Sequence, residues 1–171
     1  MTDAAPYKYA KSLEFRPVDP VGESDLLIRY GRDLYRESLG DDHAFRRDYG
    51  WYGERFPDWI QSCGAADPSF AALLTEDVNP IGLVALAVDP QNPKRGRVHH
   101  FYIEPGHRGQ GFGGLLDDYA RARLASAGCE RIRLNVTKTN DRARRFYEAQ
   151  GWSPVRSGFA SARLCELEIA L

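Results

Sequence analysis

Charge of one sign is missing from this chain. Its 23 lysines and arginines stand against 24 aspartates and glutamates, a formal net charge of −1. No general field gathers nucleic acid or a membrane surface, and neither is expected as a partner. Long apolar runs are missing as well: none approaches the roughly 18 residues that a membrane-spanning helix needs. Met1 to Lys11 carries Asp3, Lys8 and Lys11 through the stretch where a signal peptide would place its apolar core, so the protein is expected in the cytoplasm. Cysteine is scarce. Cys63, Cys129 and Cys165 are odd in number and widely separated, without the spacing of a disulfide framework or a metal site, and read as reduced packing residues. No metal is expected. Neither repeats nor low-complexity tracts occur, and 171 residues suit a single domain with a real core. That domain is placed at 13–171, after a flexible lead-in over 1–12.

What is present is concentrated between Val98 and Leu116. Val98 to Ile103 is rich in β-branched and aromatic residues and reads as a strand, stopped by Glu104, Pro105 and Gly106. Arg108, Gly109, Gln110, Gly111, Phe112, Gly113 and Gly114 then lead into Leu115, Leu116 and Tyr119, whose spacing suits the buried face of a helix. The glycines therefore stand at a helix N-terminus, where four amide N–H groups lack intrahelical partners and the helix dipole is positive. Residues without Cβ atoms let a phosphate approach those amides, and Arg108 would add a full charge beside them. A pyrophosphate is the expected ligand. The P-loop reading fails, because Phe112-Gly113-Gly114 stands where Gly-Lys-Ser/Thr is needed. A Rossmann turn is a poor match: Pro105 to Arg108 separate strand from glycines, and the next strand ends at Asn135 and Val136 without the expected acid.

Elsewhere the chain alternates strands and helices. Leu13 to Val18 reads as a strand, and Leu26, Leu27, Tyr30 and Leu34 as the stripe of a helix closed by Gly40. Residues 41–67 mix Phe45, Tyr49, Trp51, Tyr52, Phe56 and Trp59 with Asp41, Asp42, Asp48, Glu54 and Asp58. A short helix over Asp58 to Ser62 is placed there, and loop or broken helix around it. Such a mixture either lines a pocket for an organic cation or is core with solvated carboxylates. Ser69 to Thr75 and Ile81 to Val88 form a hairpin, Asp89 to Gly96 a polar loop. After the glycine helix come a strand at Arg131 to Val136, a helix capped by Thr139, Asn140 or Asp141, and strands at Trp152 to Val155 and Arg163 to Ile169.

The glycine stretch resembles the acyl-CoA loop of the GNAT superfamily of N-acetyltransferases, Arg/Gln-x-x-Gly-x-Gly/Ala after a strand, with Arg108, Gly111 and Gly113 at the defining positions. Asn135 to Trp152 resembles that superfamily's second hallmark, through Asn140, Ala143, Phe146, Tyr147, Gly151 and Trp152. The resemblance implies an α/β (α+β) fold: a mixed, mostly antiparallel central sheet with a splayed parallel strand pair and helices on both faces, in the order β-α-α-β-β-β-α-β-α-β-β. It implies acetyl-CoA as co-substrate, with no metal. The backbone of Phe101, Tyr102 and Ile103 would pair with the pantetheine arm. Amides from Arg108 through Gly109, Gln110, Gly111, Phe112, Gly113 and Gly114 would hold the pyrophosphate, with Asn140, Phe146 and Tyr147 lining the other side. Arg142, Arg144 and Arg145 would either reach phosphates or remain solvated.

The implied reaction is acetyl transfer to a primary amine by direct attack in a ternary complex. An alkylamine is mostly protonated at pH 7, so a base must free its lone pair, and an acid is needed at the departing sulfur. By the resemblance Tyr147 is the acid. His99 is the expected base, because it shares a strand face with Phe101 and Ile103, whereas His100 should point away; some arylalkylamine acetyltransferases carry a histidine there. The oxyanion would meet a strand N–H near Tyr102. The expected acceptor is a small-molecule amine, with a protein or peptide amine as the alternative and a non-catalytic CoA-binding module as the rival. A homodimer is compatible with the resemblance.

Overall fold

A computed structural model of the protein describes residues 11–155 and 163–171. Among the described residues seven strands form one sheet: β1 (Leu13–Pro17), β2 (Ala71–Glu76), β3 (Asn79–Asp89), β4 (Asn92–Ile103), β5 (Arg131–Thr137), β6 (Ser153–Pro154) and β7 (Leu164–Ala170). Their spatial order is β1-β2-β3-β4-β5-β7-β6. Every neighbouring pair is antiparallel except β4 and β5, which are parallel. The mixed, mostly antiparallel sheet and its one parallel pair are as expected.

Helices cover both faces because the strands alternate. From β3, Ile81, Val84 and Leu86 face a core shared with Leu116, Ala120 and Leu124 of α4 (Phe112–Ser126), Ile132 and Leu134 of β5, and Trp152. Ala143 and Tyr147 of α5 (Asp141–Ala149) pack on its edge. Leu83 and Ala85 face the other way, onto Leu27 and Tyr30 of α1 (Ser24–Leu39), Phe45 of α2 (His43–Tyr49), and Phe56 and Ile60 of α3 (Phe56–Cys63).

Three local expectations need correction. The stretch 41–67 contains two helices, so one more helix precedes β2 than the sequence suggests. Tertiary contacts make α2: Phe45 is wholly buried, and Asp42, 7% exposed, is approached by Arg32, Arg36 and Arg46. The expected loop at Asp89 to Gly96 is mostly strand. Asp89 accepts from Arg95 Nε at 2.8 Å, and β4 resumes at Asn92 after a two-residue turn. Its polar residues are exposed at the sheet's end, so they carry no apolar alternation. Ser69 lies in a 3₁₀ turn, Pro68–Phe70, where Asp67 Oδ1 accepts its N–H at 2.8 Å. Of the lead-in, 1–10 lie outside the described residues, and Ser12 pairs with Asp77 at the β2–β3 turn.

The feature that makes room for a site is the parting of β4 from β5. They pair only from Arg95 to Val98 and from Arg131 to Leu134. On its other side β4 is bulged: Ala85 faces His100 and Leu86 faces Val98, so His99 has no partner in β3. An extra residue of this kind bends and twists a strand. Beyond it the β5-side edge of β4 is unpaired over 99–103 among the described residues.

Candidate active site

A cleft of about 880 Å³ opens where the two strands part. Residues 99–103 of β4, the glycine loop and α5 line it, together with the facing ends of α1 and α2.

The glycine loop begins with a 3₁₀ turn over Pro105–His107 and ends at Gly111, which precedes α4 in the left-handed region with φ +87°. Gly109 is left-handed too, at φ +75°, a conformation that costs any side-chain-bearing residue. Built Cβ atoms on Gly109, Gly111 or Gly114 would meet nothing within 4 Å, so the loop lies open. At Gly113 the reason for glycine is different: a Cβ would come to 3.1 Å from the Phe146 ring. The loop thus presents the first-turn amides of a 15-residue helix to the cleft. Gln110 and Phe112 do not line it: Gln110 Nε2 donates to Gly106 O at 3.2 Å, and Phe112 packs on the core.

Arg108 is held differently from the expectation of a cation beside a phosphate. Its Nε donates to Ile103 O at 2.7 Å, and Nη1 pairs with Glu37 of α1. The guanidinium lies 5.6 Å from the centre of the Tyr102 ring. Arg108 therefore ties the loop to β4 and α1, with Nη2 buried and unpartnered.

On the opposite wall Asn140 caps α5, its Oδ1 accepting from Ala143 N at 3.1 Å. Arg142 reaches the cleft, whereas Arg144 donates to Lys138 O at 3.2 Å. Tyr147 lines the cleft with its ring 5.2 Å from Phe146, 6.4 Å from Phe101 and 5.8 Å from Trp152. Burial, followed by the Asp117 charge, pushes its phenol well above the ordinary value, so it stays protonated. Beneath it Asp117, wholly buried, accepts from Trp152 Nε1 at 2.9 Å and from Arg121 Nε at 2.8 Å, while Arg121 Nη2 donates to Gln150 O at 2.7 Å. This network fastens the end of α5 to α4.

The histidines break the alternation rule. Because His99 is the bulged residue, it and His100 both line the cleft and both touch Trp59, with ring centres at 5.3 and 5.0 Å. His99 is exposed and His100 buried. His99, partly covered by Trp59, is shifted downward by burial and then by Arg97, and His100, fully enclosed, goes further: burial, then His99, takes it to about 3. Both are neutral at pH 7.

Residues of α1 and α2 complete this wall, among them Asp48 of the aromatic and acidic mixture. Tyr35 of α1 donates to Asp48 of α2 at 3.3 Å, and Arg47 Nε donates to the same carboxylate at 2.8 Å. Most other carboxylates of 41–67 are engaged in structure: Asp42 in its arginine cluster, Asp41 on His43 N at 2.9 Å, Glu54 on Tyr52 N at 3.1 Å. Phe45, Tyr49, Phe56 and Trp59 form one aromatic cluster. Packing thus accounts for most of the aromatic and acidic mixture. Among the described residues no group of three metal-ligating side chains occurs, and no helix is long and apolar enough to cross a membrane.

The model of the acetyltransferase (GNAT) family matches residues 32–152. A curated relative, the mycothiol acetyltransferase of Beutenbergia cavernae, is 33% identical over 89 residues, which are 52% of this chain and 30% of that protein. The matched stretch thus spans less than a third of the relative. The PaiA N-acetyltransferase of Thermoplasma acidophilum, solved in complex with coenzyme A, superposes with a TM-score of 0.76 at 16% identity, over 94% of this chain and 99% of that one. A chain of the NatC complex, solved with Gag peptide and CoA, gives 0.67 at 18% identity, over 93% and 98%. At such identities these structures speak for the fold.

Proposed function

The chain belongs to the acetyltransferase (GNAT) family, and we propose that it transfers the acetyl group of acetyl-CoA to a primary amine of a small molecule, by direct attack in a ternary complex. The observation that carries this reading is the cleft itself, which joins an open, glycine-built helix N-terminus, a free strand edge and a protonated phenol. The superposed PaiA enzyme holds coenzyme A, and the residues here suit it. Amides of Gly109 to Gly114 receive the pyrophosphate. The free edge at Phe101, Tyr102 and Ile103 takes the pantetheine arm, flanked by Phe146 and by the Nδ2 of Asn140. When bound, acetyl-CoA supplies an activated thioester.

The chain's own groups perform the proton transfers. His99, neutral and open to the cleft, accepts a hydrogen bond from the amine. Shifted below its ordinary value, it passes the proton on to water instead of keeping it. Tyr147 delivers its phenolic proton to the departing sulfur, each such transfer being worth roughly 10² to 10⁴ in rate. A β4 N–H near Tyr102 meets the carbonyl oxygen as it gains charge.

A small acceptor is favoured because Tyr35 of α1 and Asp48 of α2 line the cleft together with the two histidines, a set of rings and charge that suits a compact cation. A peptide amine is the second reading, supported by the NatC likeness. The test is isothermal titration with acetyl-CoA, with NAD as control, followed by turnover of 2-phenylethylamine, spermidine and triglycine. Binding of acetyl-CoA alone and turnover of a small amine are expected. Failure to bind acetyl-CoA removes the reading; turnover confined to triglycine replaces the acceptor.

A further inference from the structure

His100 is the polar group of the cleft that the proposed chemistry leaves without a task. Its side chain is 6% exposed, neither ring nitrogen has a hydrogen-bond partner, and it lines the cleft. Three aromatic rings pack around it: Trp59 at 5.0 Å, Phe56 at 5.4 Å and Tyr35 at 6.4 Å between centres. Buried polar groups are nearly always paired, and an orphan works against folding unless something else satisfies it. A phenylalanine would fill such an aromatic box without that penalty. The imidazole is therefore available to a ligand, and Tyr35 of α1, which stacks on it, lines the same cleft.

Resting on the acetyltransferase reading, we propose that His100 positions the acceptor: its ring lone pair accepts an N–H of the incoming amine and turns the amine's own lone pair toward the donor. It is not the base. An imidazole enclosed by three rings and next to a second imidazole is held neutral, so it orients the amine without taking its proton. His99, exposed on the bulge, keeps the proton transfer. The bulge makes the division of labour geometric, because without it one of the two rings would face the other side of the sheet.

The test compares the wild type with His100→Phe and His100→Gln, using whichever of 2-phenylethylamine, spermidine or triglycine the wild type turns over fastest. In His100→Phe, KM for the amine should rise about tenfold, the worth of one ordinary hydrogen bond. Acetyl-CoA affinity should stay within about twofold, since the lost contact is to the acceptor. His100→Gln, which restores an acceptor atom, should recover part of the loss. The acid limb of kcat/KM against pH should stay in place in the Gln variant, because His99 sets it. An unchanged KM in His100→Phe means that water alone satisfies the ring and overturns the inference. Loss of the acid limb in His100→Gln overturns it by making His100 the base. Should His100→Phe fail to bind acetyl-CoA, the Gln variant decides, an unchanged KM there being the contrary result. If the wild type does not bind acetyl-CoA, the underlying reading falls first and carries this one with it.

Discussion

Two sides of the cleft differ in kind, one made of backbone and the other of side chains. Gly109 to Gly114 and the free edge of β4 present amides from one continuous stretch. Tyr35, Asp48, His99 and His100 present rings and charges from α1, α2 and β4. Backbone groups come with the same geometry whatever residues flank them, provided Cβ atoms stay out of the way. Side chains must be assembled, and each member depends on the packing of an element distant in sequence. The first wall suits a ligand part that never changes, and the second an acceptor on which enzymes can diverge.

The sharpest way to break the comparison is to put a side chain on the backbone wall. Gly111→Glu places a carboxylate where the pyrophosphate is expected, at a φ of +87°. Acetyl-CoA binding should fall by about 100-fold or more through strain and like charge; titration reads it, and binding near the wild-type level would remove the loop from its role. Tyr147→Phe comes next. Turnover should drop by about 10² while acetyl-CoA affinity holds, measured by single-turnover acetylation beside titration, and an unchanged rate would release Tyr147 as the acid.

A third change attacks the side-chain wall without touching the ligand. Asp42 collects Arg32, Arg36 and Arg46 around the start of α2. Burial pushes its carboxyl up, but Arg46, Arg36 and Arg32 more than offset this and hold it below the usual range. With Asp42→Ala the arginines repel and α2 should loosen, raising KM for the amine about tenfold with acetyl-CoA affinity unchanged. A parallel loss of acetyl-CoA affinity would show that the walls are not independent.

The smallest effect concerns pH. Both imidazoles lie below their ordinary value in the folded protein, so the unfolded chain binds more protons from about pH 6.5 downward. The stability they contribute is whole above pH 6.5 and is lost as pH falls toward 4. His100→Phe should flatten that decline, as read by urea unfolding at several pH values; an equally steep decline would assign it to other groups.

The backbone wall was legible in the sequence because its information is local. Glycines before an apolar helical stripe already imply left-handed turns and bare amides, and Gly109 and Gly111 adopt them. Asn140, read as a cap, is one. Arg108 was legible only as a charge; that it would turn to Glu37 and Ile103 depends on α1 lying beside the loop. The helix α2 gave almost no local signal, because what makes it is Phe45 entering a core and Asp42 meeting arginines from α1. The histidines show most plainly what a one-dimensional pattern omits. Alternation assigns them to opposite faces, and a bulge defined by the register against β3 puts both in the cleft.

By itself, then, the sequence determined the order of most elements, the family-typical loop and the helix that carries Tyr147, since each follows from residues within a few positions of one another. Only the tertiary structure decided where β4 parts from β5, which way Arg108 turns and which side chains line the cleft. Those depend on strand register and on contacts between segments far apart in the chain, and no short window of residues contains them.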